Sequence, residues 1–241
     1  MPEFSIITVT YNAVATIEKS ILSVLDQKNS DFEYIIIDGQ STDGTLDIIT
    51  KYIANITHFV SEKDHGIYDA MNKGVNLSTG KYLFFLGADD FFYEDTTCFK
   101  VSEIILNKTY DIILGNIIYD HGQVIKPKFS YKLLLHNSIH HQGTFYNRNL
   151  FADFKYETSL KLISDYELNL ILFLKKKNIR HLKIDSIISL CSANGLSQKM
   201  VDVFIKETNQ IRSRHLRKNS AKLFKLVFFL KLKIWNALRH K

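Results

Sequence analysis

The sequence predicts an α/β fold in which a mixed, mainly parallel central sheet is flanked by helices and followed by a helical tail. Over the first hundred of its 241 residues, short apolar runs alternate with stretches of helical periodicity, a pattern typical of parallel strands joined by crossover helices. Three of these runs end at polar residues, Thr10-Tyr11-Asn12, Asp38-Gly39 and Asp89-Asp90. Because ligands bind outside the carboxyl ends of the strands in such sheets, we expect these residues to share one site.

Four strands and three connecting helices are expected in residues 1–100. The strands are predicted at 4–9, 34–37, 58–61 and 81–86. The helices are predicted at 13–27, 45–54 and 67–76, with Asn12 and Asp43 as candidate caps of the first two. Three successive strand–helix–strand steps favour parallel pairing with right-handed crossovers.

The pattern changes after position 90 and indicates mixed pairing. The elements expected here are a helix at 95–107, a hairpin of strands 111–119 and 123–125, a strand at 140–146, a helix at 164–177, and short strands at 180–184 and 187–191. Helices fill the remainder of the chain, and no internal repeat or linker is evident.

Charge is distributed unevenly along the chain. Residues 206–241 contain eleven Lys or Arg and one acidic residue, about +10, while the whole chain is +6, so residues 1–205 carry about −4. We interpret 1–205 as one domain and 206–241 as a basic, amphipathic helical tail. Cys98 and Cys191 lack the spacing of a zinc site or a disulfide framework, which is typical of cytosolic thiols.

Five segments, in order, resemble the signatures of one enzyme family. They start at Ser5, Ile37, Ser61, Phe85 and Ser164 and read SIITVTYN, IDGQSTDGT, SEKDHGIYDAMNKG, FLGADD and SDYE. Together they resemble the inverting family 2 glycosyltransferases of GT-A fold, and most closely the small bacterial members of the colanic-acid type that assemble surface polysaccharides. The resemblance implies a GT-A-like (Rossmann-like) domain over 1–205, with a nucleotide-binding half at 1–100 and an acceptor half at 101–205.

Asp90 is the predicted metal ligand. A nucleotide-sugar donor leaves as a diphosphate, and a carboxylate-held divalent cation, Mn²⁺ or Mg²⁺, neutralises that charge by bridging phosphate oxygens. The family motif is Asp-x-Asp, whereas this chain reads Gly87-Ala88-Asp89-Asp90, so Asp90 matches the last Asp and the first is missing. Asp89 is expected nearer the ribose or sugar of the donor.

The resemblance also implies where the donor nucleotide binds. Asp38 is expected to accept the N3–H of uracil, because a carboxylate can only accept, while Thr10, Tyr11 and Asn12 line the base pocket. This assignment makes a UDP-sugar the expected donor.

The third motif adds two donor-binding candidates. Asp64 and Lys73 match positions where family members contact the ribose and the donor. Tyr68 and Asn72 are consistent with either donor contact or helix packing, and Asp43 is interpreted as a helix cap rather than a ligand.

Asp165 is the predicted general base. Inverting transfer requires a carboxylate opposite the departing nucleotide, where it takes the proton of the acceptor hydroxyl during a single displacement. The alternative is that Ser164-Asp165 caps a helix and suits its dipole. We favour catalysis because Tyr166-Glu167 follows in register with the family motif.

The segment His140-His141-Gln142-Gly143 invites a metal-site interpretation, but neighbouring strand residues face opposite sides, so one ion is not expected to bind both histidines. The resemblance places His141 and Gln142 beside the acceptor pocket, and Glu167 is assigned to the same pocket. A buried, hydrogen-bonded histidine is the alternative. Residues 194–197 fit either a loop that closes over the diphosphate or a turn that starts a helix.

The tail interleaves apolar and basic residues between positions 212 and 241, as in-plane amphipathic helices on anionic lipid do. Its longest apolar run, 226–230, is far short of the roughly 18 residues that span a bilayer. A helical pair packed on the core and a homodimer surface are the alternatives. Nucleic-acid binding is not expected, because the aromatic residues provide no stacking platform.

These features predict an inverting hexosyltransferase that moves a sugar from a UDP-sugar to an acceptor hydroxyl on a polyprenyl diphosphate-linked glycan. We expect it in the cytoplasm at the inner face of the cell membrane, since no export signal precedes the first strand. The alternatives are a nucleotidyltransferase that forms sugar nucleotides, whose Gly-rich basic loop is missing, and a non-catalytic sugar-nucleotide-binding protein.

Overall fold

A computed structural model describes residues 1–193 and 200–216, and in these ranges nine strands form a single mixed sheet. The strands are β1 (Phe4–Thr10), β2 (Phe32–Asp38), β3 (His58–Ser61), β4 (Tyr82–Gly87), β5 (Phe91–Phe92), β6 (Ile112–Tyr119), β7 (Val124–Ile125), β8 (Thr144–Asn147) and β9 (His181–Cys191). The helices are α1 (Ile17–Leu25), α2 (Thr45–Lys51), α3 (Ile67–Leu77), α4 (Thr97–Ile105), α5 (Ser164–Leu174) and α6 (Val201–His215). Short 3₁₀ turns occupy Ile53–Asn55, Tyr131–Leu134, His141–Gly143, Arg148–Phe151 and Lys176–Asn178.

The strand order is β3-β2-β1-β4-β8-β6-β9-β5, with β7 paired to β6. The first four strands are parallel, β8 runs antiparallel between β4 and β6, and β9 is again parallel to β6. The predicted mixed, mainly parallel α/β sheet is therefore confirmed. Register pairs Thr10 with Asp38 and Val9 with Gly87, so the ends of β1, β2 and β4 open on one edge.

Two hydrophobic clusters, one on each face of the sheet, form the core. Alternate residues of β2 enter opposite clusters, Tyr34 and Ile36 toward α1, α2 and α4, and Ile35 and Ile37 toward α3, α5 and α6. Both faces are covered, which explains why the strands read as continuous apolar runs rather than as alternating ones. Each fully buried side chain of this kind contributes roughly 1.5–3 kcal/mol of transfer free energy.

Helix α1 begins four residues later than expected, and Asn12 does not cap it. The backbone N–H groups of Asn12, Ala13 and Val14 donate to Ser41 Oγ, Thr45 Oγ1 and Asp43 Oδ2 at 2.8, 2.8 and 3.0 Å. These bonds hold the segment against the loop after β2, so helix formation starts only at Ile17. Asp43 accepts the backbone N–H of Thr45, the first residue of α2, at 3.0 Å, but the N-cap position itself is occupied by Gly44, so Asp43 lies one residue before the expected cap position.

The second half of the chain differs from expectation at two strands. Residues 141–143 form a 3₁₀ turn, so the strand expected at 140–146 is β8, at 144–147. The two short strands expected at 180–184 and 187–191 are one strand, β9, whose register against β6 shifts around Gly115. The apolar pattern is interrupted at residues 185–186, so the sequence predicted two strands, but the backbone forms one continuous strand there.

Helix α6 runs through position 205, where the sequence analysis divides the domain from the tail, and it buries Glu207, Ile211 and Arg212 against the core. The domain division itself stays a prediction. The segments predicted as a flexible loop, 194–197, and as a membrane-binding helix, beyond 216, lie outside the described residues. In the part of the chain that the structure describes, no helix is both long and apolar enough to cross a bilayer.

Candidate active site

A cavity of about 250 Å³ opens at the carboxyl ends of β1 and β4. Its polar lining residues are Tyr68, Asp89, Asp90, His141, Gln142 and Lys161, and its apolar walls include Val9, Met71, Phe85 and Leu162. Helix α3 reaches this edge because Gly74 lets it lie against β1, where an added Cβ would come within 2.5 Å of Ile7 Cγ2. The cavity is thus lined by two carboxylates at the end of a strand, by His141 and Gln142, and by Lys161.

Asp90 lies in the turn between β4 and β5 and is only 4% exposed. Its Oδ2 accepts Gln142 Nε2 at 3.1 Å, and its Oδ1 accepts the backbone N–H of Ser192 at 3.3 Å. Burial, and then repulsion from Asp89, raise the pKa of Asp90 to about 6. Since two modest hydrogen bonds do not compensate for desolvation, this carboxylate favours a nearby positive charge.

Gly87 ends β4 directly beneath the two carboxylates. A Cβ at this position would lie 2.6 Å from Asp90 Oδ2 and 3.1 Å from Asp89 Oδ1. The glycine therefore leaves room for both acidic side chains, of which Asp89 is exposed and Asp90 buried. Adjacent carboxylates with free oxygen lone pairs are ligands suited to Mg²⁺ or Mn²⁺.

Within residues 1–193 and 200–216, no group of three or more His, Cys, Asp or Glu side chains is arranged to hold a metal ion. A site built from one or two carboxylates fits the coordination of Mg²⁺, which is usually completed by water and substrate phosphates. The donor set at Asp89 and Asp90, together with the raised pKa of Asp90, fits a cation that arrives with a diphosphate.

Asp165 is the second residue of α5 and is 7% exposed. Its Oδ1 accepts the Tyr68 hydroxyl at 3.2 Å, and its Oδ2 accepts Asn137 Nδ2 at 2.8 Å. His141 Nδ1 lies 3.4 Å from Oδ2. Ile163 occupies the N-cap position without a side-chain cap, and Ser164 Oγ accepts the Glu157 N–H, so neither Ser164 nor Asp165 caps the helix.

The 3₁₀ turn at His141–Gly143 joins the two predicted functional carboxylates. His141 contacts Asp165, and Gln142 contacts Asp90, through consecutive residues. Ser189 Oγ of β9 donates to the Gln142 carbonyl at 2.5 Å and so fixes the turn. Asp90, which lines the cavity, and Asp165, which contacts the lining residues Tyr68 and His141 from behind, are thereby linked although they are 75 positions apart in the sequence.

His140, the neighbouring histidine, is used differently. Burial lowers the pKa of His140 to about 4, so the ring is neutral at physiological pH. Its ring lies edge-on to Tyr119 at 6.2 Å between centroids. The two histidines have different surroundings, because His141 lines the cavity and His140 packs against Tyr119, but a 3₁₀ turn rather than the expected strand separates them.

The predicted base pocket gathers at the ends of β1 and β2. Asp38 is fully buried and accepts the Ser41 N–H at 2.9 Å, Ser41 Oγ at 2.5 Å and Ser61 Oγ at 2.7 Å. Thr10 Oγ1 is buried without a hydrogen-bond partner among the described residues, a polar atom available to a ligand. Contact of Asp38 with a base would depend on Oδ1, which accepts only one bond.

Tyr11 and Asp64 approach each other across Gly39. A Cβ on Gly39 would lie 2.5 Å from Asp64 Oδ2 and 3.3 Å from Tyr11 Cδ2. The Tyr11 side chain is 64% exposed. Asn12, which adopts a positive φ of 49°, accepts the Thr42 N–H at 2.9 Å through Oδ1.

Lys73 and Glu167 do not reach the cavity lining. Lys73 Nζ is paired with Glu62 at 2.8 Å and Asp69 at 3.3 Å. Glu167 lines a separate cavity of about 510 Å³ and accepts His215 Nε2 at 2.7 Å. Their assigned roles in donor and acceptor binding stay predictions, and both side chains already have oppositely charged or hydrogen-bonding partners within the protein.

Three residues of the site were missed or left open by sequence reasoning. Tyr68, left between packing and ligand contact, donates to Asp165, while Asn137 and Lys161 were not considered. Lys161 is held at the cavity by Glu207 of α6, whose Oε1 and Oε2 accept the N–H groups of Lys161 and Leu162 at 2.7 and 3.0 Å. Because Glu207 lies 46 positions further along the chain, the sequence around Lys161 gave no indication of this contact.

The topology and the strand-end carboxylates define a GT-A-type enzyme fold. The fold resembles that of S. aureus TarS 1-349 in complex with UDP, with a TM-score of 0.70 and 20% identity over 94% of this chain and 70% of that one. At that identity the likeness establishes the fold, and the predicted GT-A-like architecture is confirmed.

Sequence comparison establishes the family. Residues 5–159 match the family Glycosyl transferase family 2, and this chain belongs to it. A PGL/p-HBAD biosynthesis glycosyltransferase of Mycobacterium bovis (strain BCG / Pasteur 1173P2) is 34% identical over 211 residues, covering 83% of this chain and 81% of the relative. The UDP-Glc:alpha-D-GlcNAc-diphosphoundecaprenol beta-1,3-glucosyltransferase WfgD of Escherichia coli is 30% identical over 206 residues, covering 82% and 78%. The predicted family is thereby confirmed, and the protein is a transferase.

Proposed function

We propose that this transferase moves a hexose from a UDP-sugar to an acceptor hydroxyl with inversion, in the biosynthesis of a surface polysaccharide. The observation that carries the proposal is the link between Asp90, which lines the cavity, and Asp165, which lies directly behind the lining, through the consecutive residues Gln142 and His141. A leaving-group site and a base on opposite sides of a sugar ring are what a single displacement requires.

Asp90, with Asp89 beside it, would hold Mn²⁺ or Mg²⁺ against the donor diphosphate. The cation, when bound, supplies the positive charge that stabilises the departing nucleotide. Gln142 orients the Asp90 carboxylate, and burial keeps bulk water from screening it. Lys161 adds a cation in the same lining and is placed to contact a phosphate oxygen of the ligand.

Asp165 would take the proton from the acceptor hydroxyl as that oxygen attacks the anomeric carbon. Tyr68 and Asn137 donate to its two oxygens and so fix the direction of the carboxylate. His141 lies between this base and the donor side of the cavity, where it would contact the acceptor sugar.

A lipid diphosphate-linked glycan is the acceptor class we propose. The name of the WfgD relative supports it, since that protein acts on a diphosphoundecaprenol-linked sugar. Such an acceptor would place the enzyme at the inner face of the cell membrane, with the basic tail on anionic lipid. UDP as the donor nucleotide is supported by the same name and by the UDP complex of TarS.

Replacing Asp165 with Asn tests the assignment. We expect turnover to fall about 10²- to 10⁴-fold, because a general base contributes on that order. UDP binding, measured by calorimetry with Mn²⁺ present, should remain within a factor of about two of the wild type. Asp47→Asn, an exposed acidic residue on α2, is the matched control. Turnover retained in Asp165→Asn would refute the proposed base, and UDP binding without turnover in the wild type would favour a sensor.

A further inference from the structure

Residues 131–139 are tied at several points to the helices that border the site. The Tyr166 hydroxyl donates to the Leu133 carbonyl at 2.7 Å, and Arg212 Nη2 of α6 donates to the Leu135 carbonyl. Asn169 Nδ2 donates to the Ile139 carbonyl at 3.3 Å. This segment carries Asn137, so its position relative to α5 is fixed by hydrogen bonds on both sides of that residue.

A chain of buried polar groups ends at the Asp165 carboxylate. The Tyr146 hydroxyl of β8 donates to Asn169 Oδ1 at 3.0 Å, which turns Asn169 Nδ2 toward Asn137. Asn169 Nδ2 donates to Asn137 Oδ1 at 3.2 Å, and Asn137 Nδ2 therefore faces Asp165 Oδ2, at 2.8 Å. The orientation of each amide is fixed by a group that can only accept, because the Asp165 carboxylate requires the Nδ2 of Asn137 and the Ile139 carbonyl requires the Nδ2 of Asn169.

Three tyrosines and two histidines are the titratable groups around Asp165 that the contacts and charges of the site bring into play. Burial raises the pKa values of Tyr68 on α3, Tyr146 on β8 and Tyr156 well above the usual value, so they stay neutral. His140, whose pKa burial lowers to about 4, is also neutral at pH 7. His141 donates to Asp165 as a cation or as the appropriate tautomer. Asn137 is an uncharged donor at every pH.

We propose that Asn137 is a positioning residue for the catalytic base, held by Asn169 so that it donates permanently to Asp165 Oδ2. The donor fixes the direction of the carboxylate and leaves the remaining lone pairs for the acceptor hydroxyl. This inference rests on the proposed function, because it assigns Asn137 a role only if Asp165 takes the proton. Asn137 is half-buried on a loop, which lets it be replaced without opening the core.

The test is the pH profile of kcat/KM in two variants, Asn137→Leu and Asn137→Asp. Leu removes the donor, and Asp adds a second carboxylate that competes for a proton. We expect the acid limb to move to higher pH by about one unit or more in the Leu variant, and further in the Asp variant. The loss of kcat/KM should therefore be larger at pH 5.5 than at pH 8.

Asn149→Leu, an exposed asparagine in the turn after β8, is the matched control and should keep the wild-type profile. UDP binding should be unchanged in all three variants. A pH-independent loss in both Asn137 variants would assign the residue a merely structural role and overturn the inference. If Asp165→Asn keeps its turnover, the proposed function fails first, whereas an inactive Asp165→Asn with unshifted Asn137 variants would refute this inference alone.

Discussion

Asp38 and Asp90 are both buried carboxylates beyond parallel strands that neighbour β1, yet the protein treats them in opposite ways. Asp38 accepts three short hydrogen bonds from Ser41 and Ser61. Asp90 accepts two longer bonds and faces the charge of Asp89, and its pKa rises to about 6. Hydrogen bonds from the protein offset the desolvation of the Asp38 carboxylate. At Asp90 the hydrogen bonds do so less well, and a cation would stabilise the carboxylate.

This difference shows how to separate a carboxylate whose hydrogen bonds are supplied by the protein from one that is open to a cation. Burial alone does not distinguish them, because both side chains are almost inaccessible. The number and length of the internal hydrogen bonds do, since a carboxylate already satisfied by donors gains little from a metal ion. Asp90 gains the most because a cation removes both the desolvation cost and the repulsion from Asp89.

The largest expected effect is on stability, with opposite signs at the two positions. Asp38→Asn should lower the free energy of unfolding by about 2–4 kcal/mol, because a buried charged acceptor of three donors is lost. Asp90→Asn should raise it at pH 7, in protein free of divalent cations, by on the order of 2 kcal/mol. Urea unfolding at fixed pH measures both changes.

The pH dependence follows from the sign of the shift at Asp90. The folded protein holds this proton up to about pH 6, whereas an unfolded carboxyl releases it near 3.8, so wild-type stability is lost as pH rises between these values. The difference between Asp90→Asn and wild type should therefore be near zero at pH 4 and full above pH 6. Taking the difference removes the opposite contribution of His140, which the two proteins share. If Asp90→Asn is less stable than the wild type at every pH, the proposed difference between Asp38 and Asp90 is wrong.

Lys161→Met tests the Asp90 side of the site separately from the Asp38 side. It removes one positive charge from the cavity that Asp90 lines and leaves Asp38 unchanged. We expect the Kd for UDP, with Mn²⁺ present, to rise about ten- to a hundredfold, the range for one charge-assisted hydrogen bond. Lys161→Arg should recover part of the loss. Lys183→Met, an exposed lysine on β9, is the control. If the Kd for UDP is unchanged and the KM for a lipid diphosphate acceptor is raised, we would assign Lys161 to the diphosphate of the acceptor instead.

Truncation after residue 216 should have the smallest effect on the chemistry. We expect turnover with a short water-soluble acceptor to change less than about threefold, because every residue to which we assign a role in the chemistry precedes position 216. Co-sedimentation with anionic liposomes should drop, since eight Lys or Arg are removed. Equal partitioning of the two proteins would refute membrane binding by the tail.

The sequence was most informative for candidate residues that lie next to a strand or helix with a clear apolar pattern. Asp89 and Asp90 follow an apolar run, and the Asp165 motif precedes the strongest helical pattern of the second half, so both were found from local signals. That these carboxylates lie near one another could be seen only in the fold, because the 3₁₀ turn at His141–Gly143 makes the connection. A helical turn of three residues has no periodicity to detect.

The missed residues depend on partners far away in the chain. Asn137 acquires its role through Asn169, 32 positions later, and Lys161 is held by Glu207, 46 positions later. Asn12 was expected to cap α1, but side chains from the loop after β2 bind the adjacent amides and delay the helix. In each case a tertiary hydrogen bond decides the outcome, and local propensity cannot anticipate it.

Binding of Mn²⁺ in the presence of UDP, followed by the loss of the free Mn²⁺ signal in electron paramagnetic resonance, tests the central claim most directly. We predict that the wild type and Asp165→Asn bind Mn²⁺ with UDP equally well, that Asp90→Asn loses this binding, and that both variants are inactive. Wild-type affinity for Mn²⁺ and UDP in Asp90→Asn would contradict the account, because the cation would then be held elsewhere.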